Sequence, residues 1–316
     1  DIDVEVHGLP EDQLAELLES LGRVNAVGRS FGVYKVRVKG VELDVSLPRR
    51  DSKVGPGHTG IAVEGDPFMG VEEACRRRDL TLNAILLDPL TGELVDPFGG
   101  AEDAKSGLLR EVDPVTFAED PLRALRAVQF AARFDATLTP SLRGLCRAAA
   151  LGELPAERIR GELDKLLLKS PRPSVGVRLL GELALADQVL PTLAPHITPS
   201  LEAAVDRAAA LRGALVDEGG QVALMYGALL HTLHGAELDD ALDRLRLHSQ
   251  GGYRVRAALV DALALHRAPP EWSDRELRAL ADEQSLRFAL LLLSAVRPDE
   301  PWVERLRRAE VLGVAD

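Results

Sequence analysis

The sequence predicts an α+β protein in which a mixed head precedes an all-helical remainder. Near the N-terminus DIDVEV and VYKVRVKGVELDV alternate polar and apolar residues, which is typical of half-buried strands. Between them PEDQLAELLESLG has helical spacing, a Pro-Glu-Asp start and a terminal glycine. From about Glu119 onward amphipathic helical patterns follow one another, beginning with DPLRALRAVQFAARF.

Length and composition limit the class of protein. The chain has 316 residues, of which 46% are hydrophobic and 28% charged, so two or three globular domains are expected. The net charge of −12 gives no global basic field, and any RNA binding must come from a local patch. Cys75 and Cys146 are too few for a disulfide framework, which favours reduced thiols in the cytoplasm. The apolar run FALLLLSAV is too short to span a membrane.

Carboxylates occupy positions where a core strand is expected. Asp1 and Asp3 alternate along one strand and therefore share a face. Two adjacent carboxylates repel each other unless a cation lies between them, and Mg²⁺ prefers such oxygen ligands. Asp44, in VELDVS, joins the pair if its strand is a neighbour. The alternative is a solvated edge strand with three acids, Glu5 included, and the short motif alone does not decide between them.

Five segments of the chain, taken in order, resemble the motifs of one known family. They are DIDVEV, RRDLTLNAI, DPFGGAEDAKSGLLR, EDPLRALR and PAERIRGELDKLL. With them the chain resembles, from about residue 1 to 190, the family of class II tRNA nucleotidyltransferases and bacterial poly(A) polymerases. The resemblance implies a polymerase β-like nucleotidyltransferase head, with a mixed and mostly antiparallel sheet, over residues 1–112. It further implies a helical neck over 113–172 that recognises the base, and a helical body over 173–316 that binds tRNA.

The same resemblance assigns chemistry to particular residues. Asp1 and Asp3 are expected to hold two Mg²⁺ ions, with Asp44 as a further catalytic carboxylate. Arg77 and Arg78 suit phosphate oxygens, Asp79 a ribose hydroxyl, and Asn83 a phosphate or the loop itself. The alternative is that Asp79 caps the strand entry and the arginines form a solvated rim.

EDPLRALR is the motif that the resemblance connects with base choice. If it is helical, Glu119, Asp120 and Arg123 share a face, and Arg126 follows one turn later. Cytosine and adenine each present an amino donor beside a ring-nitrogen acceptor, which a carboxylate next to a guanidinium complements; guanine and uracil present the reverse. The resemblance implies that Asp120 and Arg123 form this pair and that CTP and ATP are the substrates. An ordinary intrahelical salt bridge is the alternative.

Other segments refine the expected activity. PRRDSKVGPGHTGIAVEGDP resembles the family's mobile loop, which is linked to the change from adding C to adding A. The family's glycine-pair loop precedes the DxD strand, and we expect this part of the head to lie upstream of Asp1.

His231 and His234, in ALLHTLHG, are too few for a hydrolytic metal site. A local basic excess predicts tRNA contacts in the neck and early body at Arg158, Arg160, Lys165, Lys169 and Arg172.

The sequence therefore predicts a template-independent enzyme that adds C, A or both to the 3′ end of tRNA. An A-adding enzyme of a split pair is the first alternative. A poly(A) polymerase is weaker because the C-terminal DEPWVERLRRAEVLGVAD is not strongly basic. A non-catalytic RNA-binding relative is an alternative from a different functional class. A glycosyltransferase with a DxD motif is a third alternative, but it does not explain the EDPLRALR motif. No protein partner is predicted.

Overall fold

The computed structural model describes residues 2–25, 33–53, 61–267 and 284–299. Its contacts divide the chain into two compact units. We call Asp1–Lys105 with Arg110–Asp120 the head unit, and Ser106–Leu109 with Pro121–Asp316 the helical unit. The expected division into head, neck and body at residues 112 and 172 stays a prediction. Within the described residues no helix is long and apolar enough to cross a membrane.

A four-stranded mixed sheet is the centre of the head unit. Its spatial order is β1 (Ile2–Glu5), β4 (Val41–Ser46), β3 (Val33–Val38) and β2 (Arg23–Asn25). The β1–β4 pair is parallel, and the other two pairs are antiparallel, which confirms the predicted mixed, mostly antiparallel sheet. Lys39 and Gly40 connect β3 to β4 with positive φ angles of 49° and 87°, as a tight primed hairpin turn requires.

One predicted helix covers this sheet. Helix α1 (Glu11–Leu21) begins after Pro10 and ends at Gly22, as the sequence predicts. Its buried Leu14 and Leu18 belong to one apolar cluster with buried side chains of β3 and β4. A side chain at Gly22 would place its Cβ 2.4 Å from the Arg37 carbonyl oxygen, so the glycine permits this close approach.

Short elements complete the head unit: β5 (Arg49–Lys53), β6 (Ile61–Gly65), α2 (Val71–Arg76), β7 (Leu86–Leu87), β8 (Leu94–Val95), α3 (Gly100–Lys105) and α4 (Pro114–Glu119). β5 and β6 form an antiparallel ribbon, so much of the segment predicted as a loop is regular, whereas residues 54–60 lie outside the described residues. β7 and β8 confirm the predicted turn at Asp88, whose Oδ1 accepts a hydrogen bond from the Leu90 amide at 2.8 Å.

The helical unit contains a two-stranded parallel pair and successive helices. Its strands are β9 (Leu108–Leu109) and β10 (Thr137–Leu138). Its helices are α5 (Leu122–Phe134), α6 (Pro140–Ala148), α7 (Ala156–Lys169), α8 (Pro173–Glu182), α9 (Ala186–Val189), α10 (Pro199–Leu211), α11 (Glu218–Leu230), α12 (Ala236–Arg244), α13 (Val255–Arg267) and α14 (Gln284–Val296). Helix α5 packs on α7 and α8, and α10, α11, α13 and α14 pack together farther along the chain.

One helical prediction is wrong in its extent. The continuous apolar period of SVGVRLLGELALADQVL predicts one helix, yet α8 ends at Glu182 and α9 begins at Ala186. Ala184 has a left-handed φ of 56°, and the Leu185 amide donates to the Leu180 carbonyl at 2.9 Å. This is the hydrogen-bond pattern of a Schellman cap, which ends a helix without a break in hydrophobic period.

Candidate active site

Two carboxylates meet on the sheet of the head unit. Asp3 on β1 is the direct register partner of Asp44 on β4. Neighbours in a parallel pair project to the same face, so the structure brings these two predicted residues together. Lys35 on β3 is the register partner of Asp44 and lies 3.3 Å from one of its carboxylate oxygens. Asp1 lies outside the described residues.

The donor set of this face fits a hard divalent cation. Adjacent carboxylates supply the oxygen ligands that Mg²⁺ prefers, with water and phosphate oxygens completing the coordination. Within the described part of the chain, no group of three or more His, Cys, Asp or Glu side chains is arranged to hold a metal. Among the described residues, Asp3 and Asp44 are the candidate ligands for Mg²⁺, and Asp1 stays a predicted ligand.

Glu5 is a site residue whose role the sequence analysis missed. It lies two residues after Asp3 on the same face of β1, and its side chain is only 6% exposed. Its Oε2 accepts from Arg77 Nη2 at 3.2 Å and from Arg78 Nη2 at 3.5 Å. His7 Nε2 lies 3.2 Å from the other oxygen. Glu5 thus holds both arginines of RRDLTLNAI beside the strand that carries Asp3, and its period-2 spacing from Asp3 was the available signal.

The apolar residues of LTLNAILL predict a strand directly after these arginines, but the structure has a different element there. Thr81–Ala84 is a short 3₁₀ helix. The buried Asp79 accepts from the Leu80 amide at 2.9 Å and from Asn83 Nδ2 at 2.8 Å through the same oxygen. Such local side-chain bonds compete with a strand ladder. Arg78 Nη1 also donates to the Asn83 carbonyl at 2.7 Å. Asp79 therefore holds the Leu80 amide and the Asn83 side chain in place, and its contact with ribose stays a prediction.

Helix α3 fixes this 3₁₀ helix from behind. Buried Asp103 accepts a hydrogen bond from Thr81 Oγ1 at 2.7 Å and binds the Arg110 guanidinium through both carboxylate oxygens. Burial raises the pKa of Asp103, but the hydrogen bonds from Arg110 and Thr81 outweigh it and hold that pKa below its ordinary value. A Cβ at Gly100 would lie 2.1 Å from the Thr81 carbonyl oxygen. The segment DPFGGAEDAKSGLLR thus stabilises the loop that carries Asn83.

The predicted helix through EDPLRALR is wrong. Glu119 ends α4, Asp120 is extended with φ −116° and ψ 103°, and α5 begins only at Leu122. Pro121 explains the break, because the residue before a proline is disfavoured in helical conformation. Glu119, Asp120 and Arg123 therefore do not share one helix face. The continuous helix on which this pairing was predicted is absent, and base recognition by Asp120 and Arg123 stays a prediction.

The predicted RNA-binding cations have unlike surroundings. Arg160 has a side chain only 14% exposed, and it donates to the Arg246 carbonyl at 3.0 Å and to Gln250 Oε1 at 3.1 Å. Lys165 pairs with buried Glu162 at 2.8 Å, and Arg172 pairs with exposed Asp135 at 3.2 Å. The remaining members, Lys169 and Arg158, are exposed and half-buried respectively. Arg160 thus has a structural role in the helical unit, and the RNA contacts stay predictions.

The histidines of ALLHTLHG each make a local contact with a backbone carbonyl. His231 ends α11, and its Nδ1 lies 2.8 Å from the Ala228 carbonyl oxygen. Burial lowers the pKa of His231 below its usual value, which favours the neutral ring. Cys75 and Cys146 are both buried as thiols rather than joined in a disulfide.

Comparisons with known protein families match both units. Residues 1–110 match a family model described as the poly A polymerase head domain. Residues 146–197 match a second model, described as the probable RNA and SrmB-binding site of polymerase A, which contains every predicted RNA-binding cation.

Individual relatives agree with these matches. A multifunctional CCA protein of Stenotrophomonas maltophilia is 44% identical over 176 residues, which cover 54% of this chain and 42% of the relative. One of Nitrosococcus oceani is 42% identical over 148 residues, 46% of this chain and 36% of the relative. The matched region thus spans less than half the length of these curated relatives.

Solved structures extend the similarity along the chain. The CCA-adding enzyme of Bacillus stearothermophilus in complex with CTP is 27% identical, with a TM-score of 0.65, and covers 99% of this chain and 73% of that one. The Thermotoga maritima CCA-adding enzyme complexed with tRNA has a TM-score of 0.69 at 20% identity, covering 100% and 74%. This likeness confirms the predicted fold class, a polymerase β-like head followed by helices.

Proposed function

Because the chain belongs to the family of class II tRNA nucleotidyltransferases and bacterial poly(A) polymerases, we propose that it adds C, A or both to tRNA 3′ ends. CTP and ATP are the proposed substrates, and tRNA is the proposed partner. The observation that carries the proposal is the pairing of Asp3 with Asp44, beside a buried Glu5 that holds two arginines. The two candidate metal ligands and the carboxylate that binds both guanidinium groups thereby share one face of one sheet.

The proposed reaction is phosphoryl transfer. The 3′-hydroxyl of the RNA attacks the α-phosphate, a new phosphorus–oxygen bond forms, and the bond to pyrophosphate breaks as the hydroxyl proton leaves. Two Mg²⁺ ions, when bound, neutralise the developing charge and lower the pKa of the attacking hydroxyl. Asp1 and Asp3 are the proposed ligands, and Asp44 supplies the third carboxylate. Arg77 and Arg78 bind and orient the triphosphate through charge-assisted hydrogen bonds.

Base selection is assigned to the segment between α4 and α5. Asp120 accepts from the exocyclic amino group of cytosine or adenine, and Arg123 donates to the adjacent ring nitrogen. The family resemblance supports this assignment, whereas a shared helix face does not, because Asp120 is extended and α5 begins at Leu122. Asp120→Ala should relax discrimination against UTP and GTP by about 1–3 kcal/mol, or about 5- to 150-fold. Asp187→Ala, at an exposed position of α9, is the matched control.

The proposal is tested by nucleotide incorporation. Purified protein is given tRNA that ends before CCA, after C or after CC, with each nucleoside triphosphate separately. We expect Asp3→Asn to abolish metal-dependent addition and to leave the circular dichroism spectrum unchanged. Glu19→Gln, which removes an exposed charge from α1, should retain activity. Full activity of Asp3→Asn would overturn the assignment of the metal site.

The same assay separates the alternatives within the family. Addition of A only to tRNA ending in CC identifies an A-adding enzyme, and long A tracts identify a poly(A) polymerase, whose head-domain family matches residues 1–110. RNA binding without any incorporation identifies a non-catalytic relative. A cytoplasmic location belongs to the same proposal, and the two buried thiols are compatible with it.

A further inference from the structure

Helix α5 carries aromatic side chains on the face where an amphipathic helix normally places charged ones. Phe134 is 55% exposed and Phe130 is half-buried, whereas Ala124, Leu125 and Val128 on the opposite side are buried. The two rings are parallel to within 8°, and their centroids lie 5.8 Å apart. A four-residue spacing on one helix face accounts for this contact. The exposed ring is therefore held in a fixed orientation by its neighbour.

Arginines flank the two rings. The Arg126 guanidinium carbon lies 5.5 Å from the centroid of Phe130. That of Arg133 lies 5.6 Å from the same centroid and 5.5 Å from that of Phe134. The helix LRALRAVQFAARF contains no acidic residue, although the whole chain has a net charge of −12. This stripe, which we define as Arg126, Phe130, Arg133 and Phe134, is thus a cationic and aromatic surface in an acidic protein.

Flat rings interleaved with cations are complementary to one chemical class, unpaired nucleic acid. Bases stack on aromatic side chains and guanidinium planes, while the phosphates contact the positive charges. At about 1.5 Å per residue the stripe is about 12 Å long. That length accommodates about three stacked nucleotides at about 3.4 Å each. A duplex end would present its bases already paired and stacked, so an unpaired segment fits the stripe better.

We propose that this stripe binds the unpaired 3′ segment of the RNA substrate by stacking on Phe134 and Phe130. The proposal rests on the proposed function for the identity of the RNA, and adds to it a contact surface on the helical unit alone. Arg133 faces both rings and contacts the phosphates, and Arg126 supports Phe130. The stripe recognises unpaired nucleotides without base preference, which suits a 3′ end whose terminal base changes with each addition.

Binding is measured in the absence of nucleoside triphosphates, with a fluorescein-labelled single-stranded oligoribonucleotide and the intact chain. Phe134→Ala should weaken binding about fivefold to tenfold, as loss of one stacking side chain predicts. Phe68→Ala, at another exposed phenylalanine (73%), should leave binding unchanged. Phe134→Trp should retain affinity and show tryptophan fluorescence that the RNA quenches, whereas Phe68→Trp should show no quenching.

Two results would overturn the stacking site. One is affinity within twofold of wild type for Phe134→Ala, and the other is tryptophan fluorescence of the Phe134→Trp variant that RNA does not quench. If Phe134→Ala instead dissociates a dimer while RNA affinity is unchanged, the stripe is an interface with a second copy. Failure of the wild type to add C or A overturns the proposed function alone, because oligonucleotide binding is scored without catalysis.

Discussion

Replacement of Glu5 by glutamine measures how firmly the buried carboxylate holds Arg77 and Arg78, which are predicted to bind phosphate. Removing one partner of a fully buried ion pair costs about 3–5 kcal/mol. Arg77 and Arg78 are 22% and 26% exposed, so water solvates part of each released guanidinium. The amide also keeps one acceptor oxygen in the same place. We therefore expect Glu5→Gln to lower the free energy of unfolding of the head unit by about 2 kcal/mol.

Arg76, which directly precedes Arg77 and Arg78, provides a matched control. Arg76 pairs with Glu72 at 2.8 Å, four residues apart on α2, and their side chains are 47% and 65% exposed. Such an exposed helical pair contributes about 0.5 kcal/mol or less. Glu72→Gln should therefore change the urea midpoint only slightly. If both variants lose the same stability, the buried carboxylate of Glu5 has no special role in the site.

Nucleotide kinetics separate two effects of Glu5. The carboxylate orders two arginine side chains, each of which otherwise has about 2 kcal/mol of rotamer entropy to lose on binding. It also repels the negatively charged triphosphate. Because the contacts to both guanidinium groups are direct, we expect ordering to dominate and Glu5→Gln to raise the apparent KM for ATP about tenfold, with no such change for Glu72→Gln. A lower KM in Glu5→Gln would refute this reasoning and identify repulsion as the dominant effect.

Three further predictions concern the structure around the site and the helical unit. Asp103→Asn should lower stability by about 1–2 kcal/mol, because it weakens the contact of a buried carboxylate with Arg110, whose side chain is 52% exposed. The wild type should lose this advantage as pH falls below 3.8, since the folded pKa of Asp103 is depressed, and urea titrations at several pH values check this. Tyr226→Phe should cost about 1–2 kcal/mol in urea unfolding, since it leaves the Asp164 carboxylate without the hydroxyl that donates to it at 2.8 Å. Cys75 should resist a thiol reagent in the native state and react after unfolding, because burial raises the pKa of this thiol.

Strand alternation and helix period predicted the elements that depend on local sequence. The alternation of DIDVEV and VELDVS placed Asp3 and Asp44 on sheet faces, and the structure pairs them directly. Two predictions, the helix through Asp120 and the strand after Asp79, were wrong because they relied on hydrophobic periodicity alone. In both segments a single nearby residue indicates the actual structure. Proline after Asp120 ends a helix, and Asp79 satisfies the Leu80 amide and turns the chain away from a strand.

Other features depend on contacts between residues distant in sequence. Glu5 meets Arg77 across 72 positions, and Arg160 reaches Gln250 across 90. The sequence around Glu5 and Arg160 does not reveal these contacts. A carboxylate on a strand and an arginine on a helix have the same spacing in the sequence whether they are paired or solvated. Charge counting predicted an RNA contact at Arg160, but it did not reveal the hydrogen bonds that Arg160 donates to the Arg246 carbonyl and to Gln250.

Asp3, Glu5 and Asp44 project from one face of the sheet, but Glu5 and Asp44 are paired with different cations. This difference indicates which carboxylates can bind a metal ion and which one holds the arginines. Asp44 is paired with Lys35, whose side chain is 58% exposed, and such pairs contribute little to stability. A divalent cation bound at Asp44 would therefore displace Lys35 at small cost. Glu5 is buried beneath two guanidinium groups, so removing it from them costs far more. We therefore expect Asp3 and Asp44 to be the metal-binding positions, and Glu5 to hold the two arginines that are predicted to bind phosphate.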